Sequence, residues 1–213
     1  IPPKQPNTSC LQKMTETKLG DIRALGLAQI EQTLAEWGEP RFRAAQVYAW
    51  VWERQADSFA AMSNLPKTLR ERLEATFAFE RLRQDLSQTS ADGAVKTRWL
   101  TADGHRIESV LIPVPADERF TACVSTQVGC SLTCSFCATG RMGRKRNLEA
   151  WEIVEQVAGV NRDCQAHYGR PLTNVVYMGM GEPLLNYANT LESVRRLTAP
   201  GPEGLGMGAR RIT

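Results

Sequence analysis

The sequence predicts an α/β protein in which a small helical unit and a β-meander precede a region of alternating strands and helices. Three observations carry this reading. Apolar residues recur at helical spacing up to about residue 79. Two turn signals, Asp92-Gly93 and Asp103-Gly104, separate short alternating runs. Beyond Pro113 and Pro115, short apolar runs alternate with helical stretches, which implies right-handed crossovers and a parallel sheet, either doubly wound or closed into a barrel. With 213 residues, 42% hydrophobic and 23% charged, the chain can bury a core and does not read as a disordered tail.

Residues 1–17 are largely polar, contain proline and lack periodicity, so an unstructured N-terminus is expected there, with Cys10 as its thiol. The helical unit spans 18–80. Ile30, Leu34 and Trp37 recur at i, i+4 and i+7 before Gly38, a stop signal, and Val47, Trp50, Val51 and Arg54 continue a second helix. A third begins near Pro66 and carries Leu69, Leu73 and Phe77 on one stripe. Trp37, Trp50, Trp52 and Phe59 read as core aromatics; the alternative is contact with a large partner such as RNA.

The meander, 81–115, contains the runs 95–100 and 106–112. In the second, Ile107, Ser109 and Leu111 share one face, and Glu108, Val110 and Ile112 the other. A carboxylate in line with apolar neighbours is costly unless paired, so Glu108 is either an exposed edge residue or a placed functional group. From 116 to 213 the order is a strand at 120–126, a cysteine-rich loop, a helix at 148–165 and a buried strand at 174–178. A helix at 189–198, a Gly/Pro-rich loop and the start of a further strand at 210 follow. Cys164 falls on the apolar face of the first of these helices with Ile153, Val157 and Val160, and reads as core.

The net charge of +3 permits a nucleic-acid partner without requiring one. Arg141, Arg144, Lys145 and Arg146 form a local basic run, which suits either phosphate contact or a solvated face. No stretch approaches the roughly 18 apolar residues of a membrane span, and no signal core precedes the helical unit. A cytoplasmic protein without a membrane partner is therefore expected. In a reducing compartment its six cysteines read as metal ligands, catalytic thiols or small buried side chains.

Three of the six lie in Cys130-Ser-Leu-Thr-Cys-Ser-Phe-Cys137. A disulfide would leave an odd thiol, and zinc would need a fourth ligand, for which His105 and His167 lack the short local spacing. Plain core cysteines leave Gly129, Gly140 and Gly143 unexplained. Three thiolates on three irons of a [4Fe-4S] cluster, with the fourth iron open, account for the number and the spacing. Downstream, the strand at 174–178 runs into Gly179-Met-Gly-Glu-Pro-Leu-Leu-Asn186, and glycines after a parallel strand lie where α/β proteins bind ligands. The plainer alternative is a Gly-Pro turn with a solvated Glu182.

The CxxxCxxC spacing with Phe136 before the last cysteine resembles the signature of the radical S-adenosylmethionine (SAM) enzymes. Together with Cys123-Val-Ser-Thr-Gln-Val-Gly-Cys130, Arg146-Asn-Leu148, the segment 38–47 and the hairpin ending at 107–113, it resembles the dual-specificity RNA methyltransferases RlmN and their Cfr-type relatives, over nearly everything from residue 18 onward. The resemblance implies a partial radical-SAM (β/α) barrel. It implies that Cys130, Cys134 and Cys137 ligate a [4Fe-4S] cluster, that Gly181 and Glu182 contact SAM, that Glu108 accepts a proton, and that Cys123 helps resolve a covalent RNA-enzyme intermediate by pairing with a second cysteine.

The implied reaction forms 2-methyladenosine in 23S rRNA and in tRNA through a methyl-cysteine, with an electron donor such as flavodoxin or ferredoxin, in a monomer. A Cfr-like enzyme acting at adenine C8 and a non-catalytic, zinc-dependent RNA-binding module stay open as alternatives. The family's methyl-carrying cysteine has no counterpart among the six present, so the chain reads as C-terminally truncated, and taken alone is expected to be poorly stable and inactive in methyl transfer.

Overall fold

A computed structural model describes residues 18–201 and 203–213, so the expectations for residues 1–17, Cys10 included, lie outside it. Three short helices build the first unit: α1 (Leu27–Glu36), α2 (Phe42–Trp52) and α3 (Lys67–Thr76). Their predicted stripes are the buried ones. Ile30, Leu34, Val47, Val51, Leu69 and Leu73 are all sequestered, and Gly38 ends the first helix with a positive φ that glycine adopts without strain. Pro66 stands just before α3 rather than inside its first turn. Of the aromatics, Trp52 and Phe59 are core, whereas Trp37 and Trp50 are only partly buried, with the guanidinium groups of Arg72 and Arg54 over their rings at 4.4 and 4.5 Å.

Three arginines, Arg23, Arg81 and Arg196, fasten this unit to the rest. The Arg23 side chain is 7% exposed and lies 3.8 Å from the Trp151 ring centroid, paired with Asp21 and with Glu155. Arg81 pairs with the same Glu155. Arg196 sits over Tyr48 and Trp52 and pairs with Glu192. Ions this deep persist only because each has its counter-ion and hydrogen bonds.

One five-stranded sheet follows, ordered β1-β2-β3-β4-β7, from β1 (Arg83–Thr89), β2 (Val95–Leu100), β3 (Arg106–Val114), β4 (Arg119–Cys123) and β7 (Asn174–Val176). A separate two-stranded ladder joins β5 (Gln127–Val128) and β6 (Arg146–Asn147). Both Asp-Gly pairs sit in the turns of the meander, with Gly93 and Gly104 at positive φ. β1 to β4 pair antiparallel and β4 with β7 parallel. The meander is thus the antiparallel part of the same sheet.

The buried face carries Val95, Trp99, Ile107, Leu111, Ala122 and Val175 and is covered by α4 (Ala150–Tyr168), whose Gly159 leaves no room for a Cβ beneath the Trp99 ring. Cys164 is buried on that helix as expected. The predicted start of a strand at 210 is a short 3-10 turn, Ala209–Arg211, because the Arg211 amide is bound to the Gly208 carbonyl; pairing with Val175 begins only at Ile212. The sequence-based barrel has one parallel pair and this bridge in the described residues. No helix among the described residues is long and apolar enough to cross a membrane.

Candidate functional site

The loops leaving the C-terminal ends of β4 and β7 pack directly on each other. The Gly179 amide donates to the Val124 carbonyl (3.0 Å), and the Thr126 amide to that of Met180 (2.8 Å). Ser125 Oγ receives the Met180 amide (2.9 Å) and donates to the Glu108 carbonyl (2.6 Å), so one hydroxyl joins β3, β4 and the loop after β7. A Cβ at Gly179 would lie 2.6 Å from the Val124 carbonyl, and one at Gly181, where φ is +97°, would lie 2.5 Å from Gln127 Cβ. Both glycines are required by the approach of one loop to the other. The sequence reading ascribed them to ligand approach or to a simple turn.

Polar side chains that the sequence reading passed over complete this junction. Gln156, inside the apolar run of α4, exchanges hydrogen bonds with the backbone of Ser125 (2.9 and 3.0 Å). Gln127 accepts the Glu182 amide (3.0 Å) and donates to Asn147 (2.8 Å). Asn186 donates to the carbonyls of Thr126 and Leu148, both at 2.8 Å. All three are buried. A polar residue in the middle of an apolar helix face was the available signal at Gln156; Asn186 read only as the last residue of the glycine-rich stretch.

The β5–β6 ladder closes the base of the cysteine loop, with Gly129 so near Gly143 that a side chain at position 129 would overlap its carbonyl. Arg146 locks that base. Its Nη1 and Nη2 meet the Glu152 carboxylate at 2.7 and 2.8 Å, while its Nε and Nη2 meet that of Asp103 at 2.6 and 2.9 Å. The same Glu152 accepts the Glu149 amide at the start of α4 (2.8 Å). Arg146 therefore leaves the free basic run that the sequence suggested, because both its edges are occupied by carboxylates.

Within the loop, Cys130 is buried, Cys137 intermediate and Cys134 exposed. The Leu132 amide donates to Cys130 Sγ (3.4 Å). Cys137 is held below the usual thiol range, chiefly by the Gly140 amide and then by the amide and hydroxyl of Thr139. Among the described residues no three Cys, His, Asp or Glu side chains converge as a ready metal-ligating group. The donor chemistry still suits an iron-sulfur cluster, since three thiols share one loop whose amides point at sulfur, the hydrogen bonding that stabilises bound thiolates.

Glu108 and Cys123 share the face of the sheet that α4 does not cover. Val110 lies opposite Cys123 in the β3–β4 register, so Glu108 stands one diagonal position away. Glu108 is half-buried and pairs with Lys96 at 3.5 Å. Burial pushes the Cys123 thiol up, with a hydrogen bond from the Met178 backbone opposing it. Glu182 lies on the far side of the junction, where its carboxylate caps the turn Pro183–Asn186 by accepting the Leu184 amide (3.0 Å). The lowered Cys137 thiol and the complete burial of Cys164 set an order of reactivity. With limiting iodoacetamide at neutral pH, the metal-free protein labels at Cys137 before Cys123 in peptide mass spectra, and Cys164, also raised by burial, labels last.

Residues 21–78 match the family described as ribosomal RNA large subunit methyltransferase N-terminal domain. A probable dual-specificity RNA methyltransferase RlmN from Cytophaga hutchinsonii is 48% identical over 93% of this chain and 53% of its own length. The dual-specificity RNA methyltransferase RlmN 2 of Myxococcus xanthus is 44% identical over 98% of this chain and 55% of its own. The crystal structure of a radical SAM methyltransferase from Sphaerobacter thermophilus matches with a TM-score of 0.78 and 46% identity, covering 90% of this chain and 55% of that one. The chain thus spans about half the length of the curated relatives it matches. Over the part it spans, the chain is similar to members of the RlmN family and to a radical SAM methyltransferase of known structure.

Proposed function

We propose that the protein forms 2-methyladenosine in 23S rRNA and in tRNA by radical SAM chemistry, and that its sheet opens a radical-SAM (β/α) barrel. The observation that supports this best is the placing of Glu108 and Cys123 on one open sheet face, one diagonal apart, at the end of the parallel pair from which the cysteine loop departs. Cys130, Cys134 and Cys137 would hold a [4Fe-4S] cluster, and Gly181 and Glu182 would contact SAM. The cluster, when bound, supplies the electron that cleaves the SAM sulfonium, drawn from a donor such as flavodoxin or ferredoxin.

Glu108 accepts the proton removed from the adenine ring, and Lys96 beside it keeps the carboxylate oriented. Partial burial raises the Cys123 thiol, which suits it to pairing with a second cysteine at the end of the cycle rather than to early attack. The helical unit and the cytoplasmic, monomeric state belong to the same reading.

Anaerobic reconstitution of the full-length protein is expected to give about four iron and four sulfide per chain, with Cys130→Ala, Cys134→Ala and Cys137→Ala each losing nearly all of it. Glu108→Gln and Cys123→Ala retain the cluster but yield no released 2-methyladenosine when RNA digests are analysed by mass spectrometry. A colourless protein with one zinc, or an 8-methyladenosine product, would overturn the reading.

A further inference from the structure

The cysteine loop is bordered by a second feature that neither the cluster nor the SAM contacts use. By gripping Asp103 with one edge and Glu152 with the other, Arg146 draws the β2–β3 turn against the segment that follows the cysteines. Between them lies a cleft of about 260 Å³ lined by His105 from the turn, Arg106 at the start of β3, Lys145 and Met142 from the segment, Val128, and glycine backbone. Gly104 and Gly143 face open space on either rim, and a side chain added at either position would meet nothing within 4 Å. Arg141 and Arg144 are exposed on the same segment.

The charge is one-sided. Asp103, which precedes Gly104 in the turn, is occupied by both Nε and Nη2 of Arg146, with His105 at 3.8 Å. Arg106 is 58% exposed at its side chain and shares Asp85 with Arg98. Among the described residues Lys145 and Arg141 have no salt-bridge partner. An open, glycine-rimmed trough of this kind accepts a sugar-phosphate strand, whose charge is repeated along its length and whose backbone needs close approach rather than a deep pocket.

We propose that the cleft between the β2–β3 turn and residues 142–145 holds RNA backbone phosphates next to the nucleotide presented to the cysteine loop, with Arg106 and Lys145 as the contacting cations. This rests on the RNA methyltransferase reading and adds to it where the backbone is gripped. It also removes Arg146 from the basic run and brings in Arg106 and His105, which are distant from that run in sequence.

The test uses the full-length, cluster-loaded protein and a fluorescein-labelled RNA hairpin containing the target adenosine, with anisotropy followed across a potassium chloride series. Each phosphate contact contributes roughly 0.7 to 0.9 to the slope of log affinity against log salt. Lys145→Gln and Arg106→Gln should therefore each lower the slope by about that amount and weaken binding about five- to eightfold at 0.1 M salt. The double variant should lose about twice the slope, with iron content and RNA-independent SAM cleavage unchanged. Variants that keep the wild-type slope and affinity, with iron content intact, overturn the cleft. Wild-type protein that binds the hairpin with the expected slope changes but never methylates it refutes the functional reading and leaves the cleft standing; wild-type protein that does not bind RNA refutes both.

Discussion

Replacing Arg146 with alanine is expected to destabilise the protein by about 1 to 3 kcal/mol, the cost of leaving the buried Glu152 acceptor without its partner, and less than for a fully buried pair because the Arg146 side chain is 30% exposed. The Glu152 side chain is 2% exposed, and its two oxygens face the guanidinium at 2.7 and 2.8 Å. Without Arg146 that carboxylate keeps only the Glu149 amide. Either it remains charged without its counter-ion or it is protonated, and both outcomes oppose folding. Arg146→Lys should recover only part of the loss, because an ammonium cannot fork to two carboxylates in different directions. Urea unfolding midpoints read both effects.

The same substitution should change the response to acid. Arg146, above all by hydrogen bonding, holds the Asp103 carboxyl well below the usual carboxylate range. A depressed folded value means that the stabilisation is complete above the unfolded value of about 4 and is lost as pH falls below it. Wild-type protein should therefore lose stability between about pH 4 and its folded value through this group, and Arg146→Ala should not show that component. A variant with an unchanged midpoint in urea and an unchanged acid limb would refute the assigned role of Arg146.

Gly179→Ala is the second large effect. The new Cβ would stand 2.6 Å from both the carbonyl carbon and the oxygen of Val124 and 2.7 Å from the Ser125 nitrogen. These are backbone atoms, so no rotamer change relieves the overlap, and the two loops must part. Overpacking of this kind costs about 1 to 3 kcal/mol. It also breaks the Gly179 to Val124 hydrogen bond and strains that between Met180 and Ser125. The expected result is a lower melting temperature together with poor cluster retention, because the strand end that launches the cysteine loop shifts. Gly104→Ala, where the added carbon meets nothing, serves as the comparison and should affect stability only through its positive φ. Equal behaviour of the two variants would count against the packing argument.

Much of the fold was legible because it is written in local periodicity. The stripes of α1 and α3 and the glycine at position 38 need only neighbours within a few turns to express themselves. β1 was not legible. Arg83–Thr89 is exposed at every position and carries no apolar alternation, and it is a strand only because β2 lends it a ladder. The end of the chain was misread by two residues for a similar reason, since a local turn at Ala209–Arg211 competes with pairing to β7.

The sequence by itself determined the chemistry on offer: three thiols in one short loop, a glycine-rich loop ending in Glu182, and the helices that flank them, all properties of residue type and spacing. Tertiary structure decided how that chemistry is placed. Glu108 and Cys123 come together through the register of β3 against β4. The cysteine-loop base is held by Asp103 and Glu152 from opposite sides of Arg146, and Gly179 and Gly181 are explained by contacts with Val124 and Gln127, more than fifty residues earlier. Spacing is local, whereas the free energy of pairing a buried charge or fitting two backbones at 2.6 Å exists only once distant segments meet.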